Sequence, residues 1–141
     1  MPTLPWRSPT PHDGSPSEAV VLASRLELGA FHQIPRFLVA ALRIRRQVLR
    51  SPGALGLSLI ADPRRKTFWT LSAWTDDAAL GEFVAAPPHR DVMASYRGQL
   101  VAAQFTTFRV KTDELPPTRP ATALWSDGKR RLASQKVGAA S

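Results

Sequence analysis

His89 is the side chain of this sequence whose type and position lend themselves most to chemistry. It follows Pro87-Pro88 at an expected helix start, where an imidazole can bind an anion, ligate heme or a metal, or act as a general base. The plainer alternative is a surface histidine that opens a helix. His32 opens an earlier helix and is a weaker candidate, and His12 lies in a proline-rich arm with nothing to position it. Trp69 and Trp74 belong to one expected strand, and regular alternation puts them on opposite faces. Each is a core or interface anchor, or else one of them lines a flat pocket for an aromatic or polyene ligand. Met93 and Tyr96 share a helix face, a pattern met more often in a core than at a ligand.

Several chemistries lack their parts. The chain has no cysteine, which excludes disulfides, thiolate catalysis and cysteine-ligated metal, and which fits a reducing, cytoplasmic setting. No two histidines or carboxylates share an element at metal-site spacing. There is no glycine-rich phosphate or dinucleotide loop, no Gly-x-Ser-x-Gly elbow and no acidic pair at helical spacing. Nineteen basic against eleven acidic residues give a charge of +8. The basic residues are scattered, with Arg43, Arg45, Arg46 and Arg50 in one helix, Arg64 to Lys66 in a turn and Lys129 to Arg131 near the end. No recognition motif accompanies them, so they read as solvated surface rather than a nucleic-acid interface. No segment reaches the roughly 20 apolar residues of a membrane-spanning helix, and the N-terminus lacks the apolar stretch of a secretory signal.

The elements that would hold these side chains occupy the middle of the 141 residues. Of thirteen prolines, eight crowd into the first 16 residues and into 115–120, the signature of loose ends around a folded centre. Residues 1–18 read as a disordered arm, 19–111 as one domain and 112–141 as a proline-rich, basic tail without sustained period. In Ala19–Leu28, Val20, Leu22, Ser24 and Leu26 alternate with Val21, Ala23, Arg25 and Glu27, a strand with one more polar face. From 32 to 50 the period becomes helical: Ile34, Phe37, Leu38, Ala41, Ile44 and Val48 form a stripe, with Arg36, Arg43, Arg46 and Arg50 opposite. Strands follow at 54–61, with Gly56 marking a bulge or close approach, and at 67–74, across a short turn. Thr75 is expected to cap a helix bearing Asp76 and Asp77 in its first turn. Pro87-Pro88 breaks it, a further helix starts near His89, and 104–111 is a fourth strand.

The order β-α-β-β-α-β gives a ferredoxin-like α+β fold with a four-stranded antiparallel sheet. Right-handed crossovers put both helical segments on one face. The other face has no cover among these elements, and its apolar residues call for a partner. A second copy of the same sheet, forming a homodimeric α/β barrel, is the simplest one.

The segment SPGALGLSLIADPRRKTFWTLSAWTDDAALGEFVAAPPHRDVM, residues 51–93, resembles the antibiotic-biosynthesis monooxygenase group of dimeric α/β barrels. The Ser-Pro-Gly turn before a strand, the strand ending in tryptophan and the acidic helix start carry the likeness. Trp74, Phe83-Val84 and Pro88-His89 are similar also to the spheroidene-monooxygenase-like proteins. The resemblance implies a homodimer with a pocket between sheet and helices. Some members of the group oxidise aromatic polyketides with dioxygen and no metal or flavin, shielding a substrate carbanion. Others bind and degrade heme, with an asparagine on the first strand, a tryptophan on the second helix and a histidine beyond it. Here the first strand carries Ala23 and Ser24, the helix position is Phe83, and the histidine is approximately matched by His89, with Val92 nearer in alignment.

The resulting expectation is a monooxygenase-like protein acting on a hydrophobic aromatic or isoprenoid small molecule, either cofactor-free or heme-assisted. Trp69, Trp74, Phe83 and Met93 would line its pocket, and His89 would be its catalytic base or polar handle. The alternative is a non-catalytic dimer that binds such a molecule in the same pocket.

Overall fold

The computed structural model describes residues 3–8, 18–87, 89–96, 98–116 and 121–134. The strands are β1 (Thr3–Arg7), β2 (Glu18–Leu28), β3 (Ala54–Asp62), β4 (Thr67–Trp74) and β5 (Leu100–Lys111). The helices are α1 (Ile34–Arg50), α2 (Asp77–Ala85), α3 (His89–Tyr96) and α4 (Ala121–Ala133). One five-stranded sheet has the order β1-β3-β4-β2-β5, and every neighbouring pair is antiparallel. Without β1 this is the ferredoxin-like β-α-β-β-α-β arrangement, with the α2–α3 pair forming the second crossover.

Alternation along β2 sorts the core into two layers. Val20 and Leu26 pack with α1, α2 and α3, whereas Val21 and Ala23 belong to a cluster on the opposite face. In β4 the same alternation sends Trp74 to the helix layer and Trp69 to the other face. Pro35 sits in the first turn of α1, where its missing N–H is no loss. Phe37, Ala40 and Val48 of that helix are buried, and Arg36, Arg43, Arg46 and Arg50 are exposed. Leu38, expected in the buried stripe, is 40% exposed because it stands at the rim of a cavity rather than over the sheet. Asp76, not Thr75, is the cap of α2, its Oδ1 accepting the Ala79 N–H at 2.8 Å.

The two ends differ from the loose segments expected there. Thr3–Arg7 adds a strand beside β3, so the sheet has five strands rather than four. Its anchor is Trp6, whose indole lies where a Cβ on Gly56 would stand, 2.3 Å from Cζ2. Only a residue without a side chain admits that contact, and the β3–β4 register shifts between Ala54 and Gly56. At the other end α4 repeats Leu124, Gly128 and Leu132 every fourth residue, with Trp125 beside them. Leu124, Trp125 and Leu132 bury onto Val21, Ala23, Leu71 and Phe108, and Trp125 Nε1 donates to Ser58 Oγ at 3.1 Å. The sheet face expected to lack cover therefore carries the chain's own helix α4. The basic residues of this segment are also engaged: Lys129 stacks over Trp69, Arg131 over Phe108, and Arg130 and Arg131 pair with Asp127. Pro88 and the remaining parts of the expected arm and tail, residues 1–2, 9–17, 117–120 and 135–141, lie outside the described residues. No helix among the described residues is long and apolar enough to cross a membrane.

Candidate functional site

The helix layer does not close completely on the sheet. Between them lies a cavity of about 350 Å³, within the range of roughly 300–1,000 Å³ usual for small-molecule sites. Leu22, Ser24 and Leu26 of β2 and Thr70 of β4 form its floor, α1 contributes Phe37 and Ile44, and α2 and α3 supply Phe83, Met93 and Tyr96. The lining is almost wholly apolar. Ser24 and Thr70, directly opposite across β2 and β4, hydrogen-bond to each other through their hydroxyls. Leu38 and Leu42 line the cavity and are also exposed, which makes them part of its rim. Arg45 is the permanent cation among the described residues of the wall.

His89 is held at the wall from three sides. Gln47 of α1 accepts the His89 backbone N–H with Oε1 at 2.8 Å. Its Nε2 donates to the Phe83 carbonyl at 3.1 Å and reaches the Ala86 carbonyl at 3.4 Å. One amide thus ties the start of α3 to the end of α2, supplying partners that helix ends leave without one. The imidazole lies against the Phe83 ring, with centroids 4.7 Å apart, and Phe83 in turn lies 4.8 Å from Trp74. His89 Nδ1 is 3.2 Å from the Val84 carbonyl oxygen. A carbonyl can only accept, so this contact assigns the proton to Nδ1 and leaves Nε2 as the basic nitrogen of the neutral ring. Burial pushes the imidazole below its usual value of 6.5, with the Val84 contact opposing it. The side chain is therefore a neutral base at neutral pH.

Three of the five side chains expected at the site, Phe83, His89 and Met93, line this cavity. Trp74 is fully buried behind Phe83, its Nε1 donating to Ser72 Oγ at 2.9 Å, and it supports the wall without forming it. Trp69 lies on the opposite face between Arg25 and Lys129 and is not brought together with the other four. Gln47, Arg45 and the Ser24–Thr70 pair are additions from the structure. Gln47 and Arg45 belong to the helix whose polar residues read as solvated surface, and Ser24 lay on a strand face with no sign of its partner. Among the described residues, no group of three or more His, Asp or Glu side chains could hold a metal ion.

The same α+β architecture occurs in several solved structures. A variant of SnoaB, a cofactor-independent oxygenase from Streptomyces nogalater, superposes with a TM-score of 0.55 at 20% identity, covering 70% of this chain and 97% of that one. An antibiotic biosynthesis monooxygenase gives a TM-score of 0.56 at 15% identity, over 66% of this chain and 97% of that one. A conserved protein from Methanosarcina mazei Go1 gives 0.60 at 11% identity, over 67% and 95%. No protein-family model matches the sequence, and no curated protein is similar to it by sequence. These likenesses establish the fold, the same one to which the resemblance of residues 51–93 points.

Proposed function

We propose that this chain is a monooxygenase-like enzyme that oxidises a hydrophobic aromatic small molecule with dioxygen and no bound cofactor. The observation that carries this reading is an apolar cavity of about 350 Å³ with a neutral imidazole on its wall. The substrate it suits is an aromatic ketone with an acidic ring methylene. Nε2 of His89 takes a proton from that methylene, and the carbanion spreads over the ring system and its carbonyl. Dioxygen accepts the electrons and forms a C–O bond at the same carbon. Loss of water leaves a second carbonyl, so the balance is CH₂ + O₂ → C=O + H₂O. Phe83, Met93 and the leucines exclude solvent, which favours reaction with dioxygen over reprotonation by water. That SnoaB is a cofactor-independent oxygenase of the same fold supports the cofactor-free form.

Heme, the other cofactor considered, fits these residues poorly. A porphyrin with two propionates is large for about 350 Å³, and among the described residues Arg45 is the one permanent cation on the wall to meet them.

Oxygen uptake by the purified protein with anthrone and a chelator tests the proposal. Uptake matched by quinone formation is expected, falling about 10²–10⁴-fold in His89→Gln, the range for a positioned general base. The second reading, a protein that binds the same ligands without turning them over, rests on His89 standing without a carboxylate or second imidazole among the described residues that line the cavity. Saturable binding without uptake would select it.

A further inference from the structure

Tyr96 is a polar group that the fold leaves unanswered. Its side chain is 5% exposed, and its hydroxyl is fully buried with no hydrogen-bond partner among the described residues. A buried hydroxyl without a partner is costly, and nearly all such groups in folded proteins are satisfied. Phenylalanine would fill the same space without that cost. Phe37 already gives the ring an edge-to-face neighbour, with centroids 5.2 Å apart at 87°, and Phe68 extends the cluster at 4.6 Å from Phe37. The packing therefore explains an aromatic ring here and does not explain the oxygen. The same residue lines the cavity, whose other described hydroxyls are engaged: Ser24 with Thr70, Ser72 with Trp74 and Ser58 with Trp125.

We infer that the Tyr96 hydroxyl is the specificity-determining anchor of this cavity, donating a hydrogen bond to a carbonyl or hydroxyl oxygen on an otherwise apolar ligand. The inference rests on the proposed small-molecule function and narrows its substrate class. A ligand that is hydrocarbon throughout leaves the hydroxyl as it stands, whereas one with a single oxygen on its ring system satisfies it. The oxygen must lie within the enclosed part of the ligand, since Tyr96 is buried and the charged wall residue is Arg45. Of the two ligand classes first considered, this favours an oxygenated aromatic over an isoprenoid hydrocarbon. Tyr96 also completes the polar equipment of the cavity. His89 handles a proton, and Tyr96 holds the oxygen toward which the resulting negative charge moves.

The test compares two ligands of nearly equal shape, 2-acetylnaphthalene and 2-isopropenylnaphthalene, by equilibrium dialysis against the full chain and Tyr96→Phe. The wild-type protein is expected to bind the ketone about fivefold to tenfold more tightly than the hydrocarbon, the size of one net hydrogen bond. Tyr96→Phe should bind both equally, by weakening the ketone alone. Its melting temperature should be unchanged or raised, because no protein partner is lost. The inference is overturned if Tyr96→Phe keeps the preference for the ketone, or if the wild-type protein shows none while binding both. Failure of either protein to bind either probe would instead overturn the cavity reading, and this inference with it.

Discussion

Replacing Gln47 with methionine isolates the contact that holds the site together. Methionine keeps the length and approximate volume of the side chain but can make none of its amide hydrogen bonds. Two well-formed bonds disappear, the 3.1 Å bond to the Phe83 carbonyl and the 2.8 Å bond from the His89 N–H, along with the longer 3.4 Å contact to Ala86. At about 0.5–1.5 kcal/mol net per bond, and with the side chain only half buried, the loss is about 1–3 kcal/mol. For a domain of this size each kcal/mol lowers Tm by about 2–4 °C, so a drop of roughly 3–10 °C is expected in a circular-dichroism melt. The functional effect should exceed the stability effect. Gln47 fixes the end of α2 and the start of α3, so Phe83 and His89 should both lose their placement, and oxygen uptake at a temperature where the variant is fully folded should fall at least tenfold. Gln47→Glu provides a control, keeping an acceptor for the His89 N–H while setting a carboxylate against the Phe83 carbonyl. Its Tm should lie below that of the wild-type chain near neutral pH and approach it in acid, where the protonated carboxyl can donate again. A Gln47→Met variant with wild-type Tm and wild-type uptake would refute the positioning role.

Two further perturbations test separate parts of the account. The depressed pKa of His89 means that, just below 6.5, the unfolded chain binds a proton the folded chain does not. Stability should therefore rise with pH across the window from the lowered folded value up to 6.5 and level off above it, and Tm measured against pH should lose this slope in His89→Gln. Gly128 lets α4 approach the sheet closely: a Cβ there would stand 3.1 Å from Leu71 Cδ2 and 3.4 Å from Ala23 Cβ. Gly128→Leu should lift the helix, cost about 1–3 kcal/mol as overpacking does, and uncover the Leu71 and Phe108 face. Light scattering coupled to gel filtration should then find larger species than for the wild-type chain.

The central architecture was legible because β2 and β4 alternate cleanly and α1 carries an apolar stripe opposite its arginines. The same periodicity separated Trp69 from Trp74, and Gly56 was recognisable as a close approach before its neighbour, Trp6, was known. What was hidden lay at the ends and between elements. The apolar positions of α4 are few and one of them is glycine, so its pattern becomes readable only against the tightly packed sheet that needs Gly128. β1 is five residues long and relies on a contact with a residue fifty positions away, Gly56, which local propensity does not encode. At the site, Phe83, His89 and Met93 could be chosen by type and position. Gln47 could not, because a polar residue on a helix looks the same whether it faces water or joins two other helices. Tyr96 read as core, and it is buried; its unpartnered hydroxyl is a property of its surroundings.

The measurement that bears most directly on the central claim is turnover of anthrone by the chelator-treated protein under ¹⁸O₂, followed by mass spectrometry of the quinone. Incorporation of one labelled oxygen atom per product molecule, abolished in His89→Gln, is the predicted result. An unlabelled product, or no product from a protein shown to bind the ketone, would contradict it.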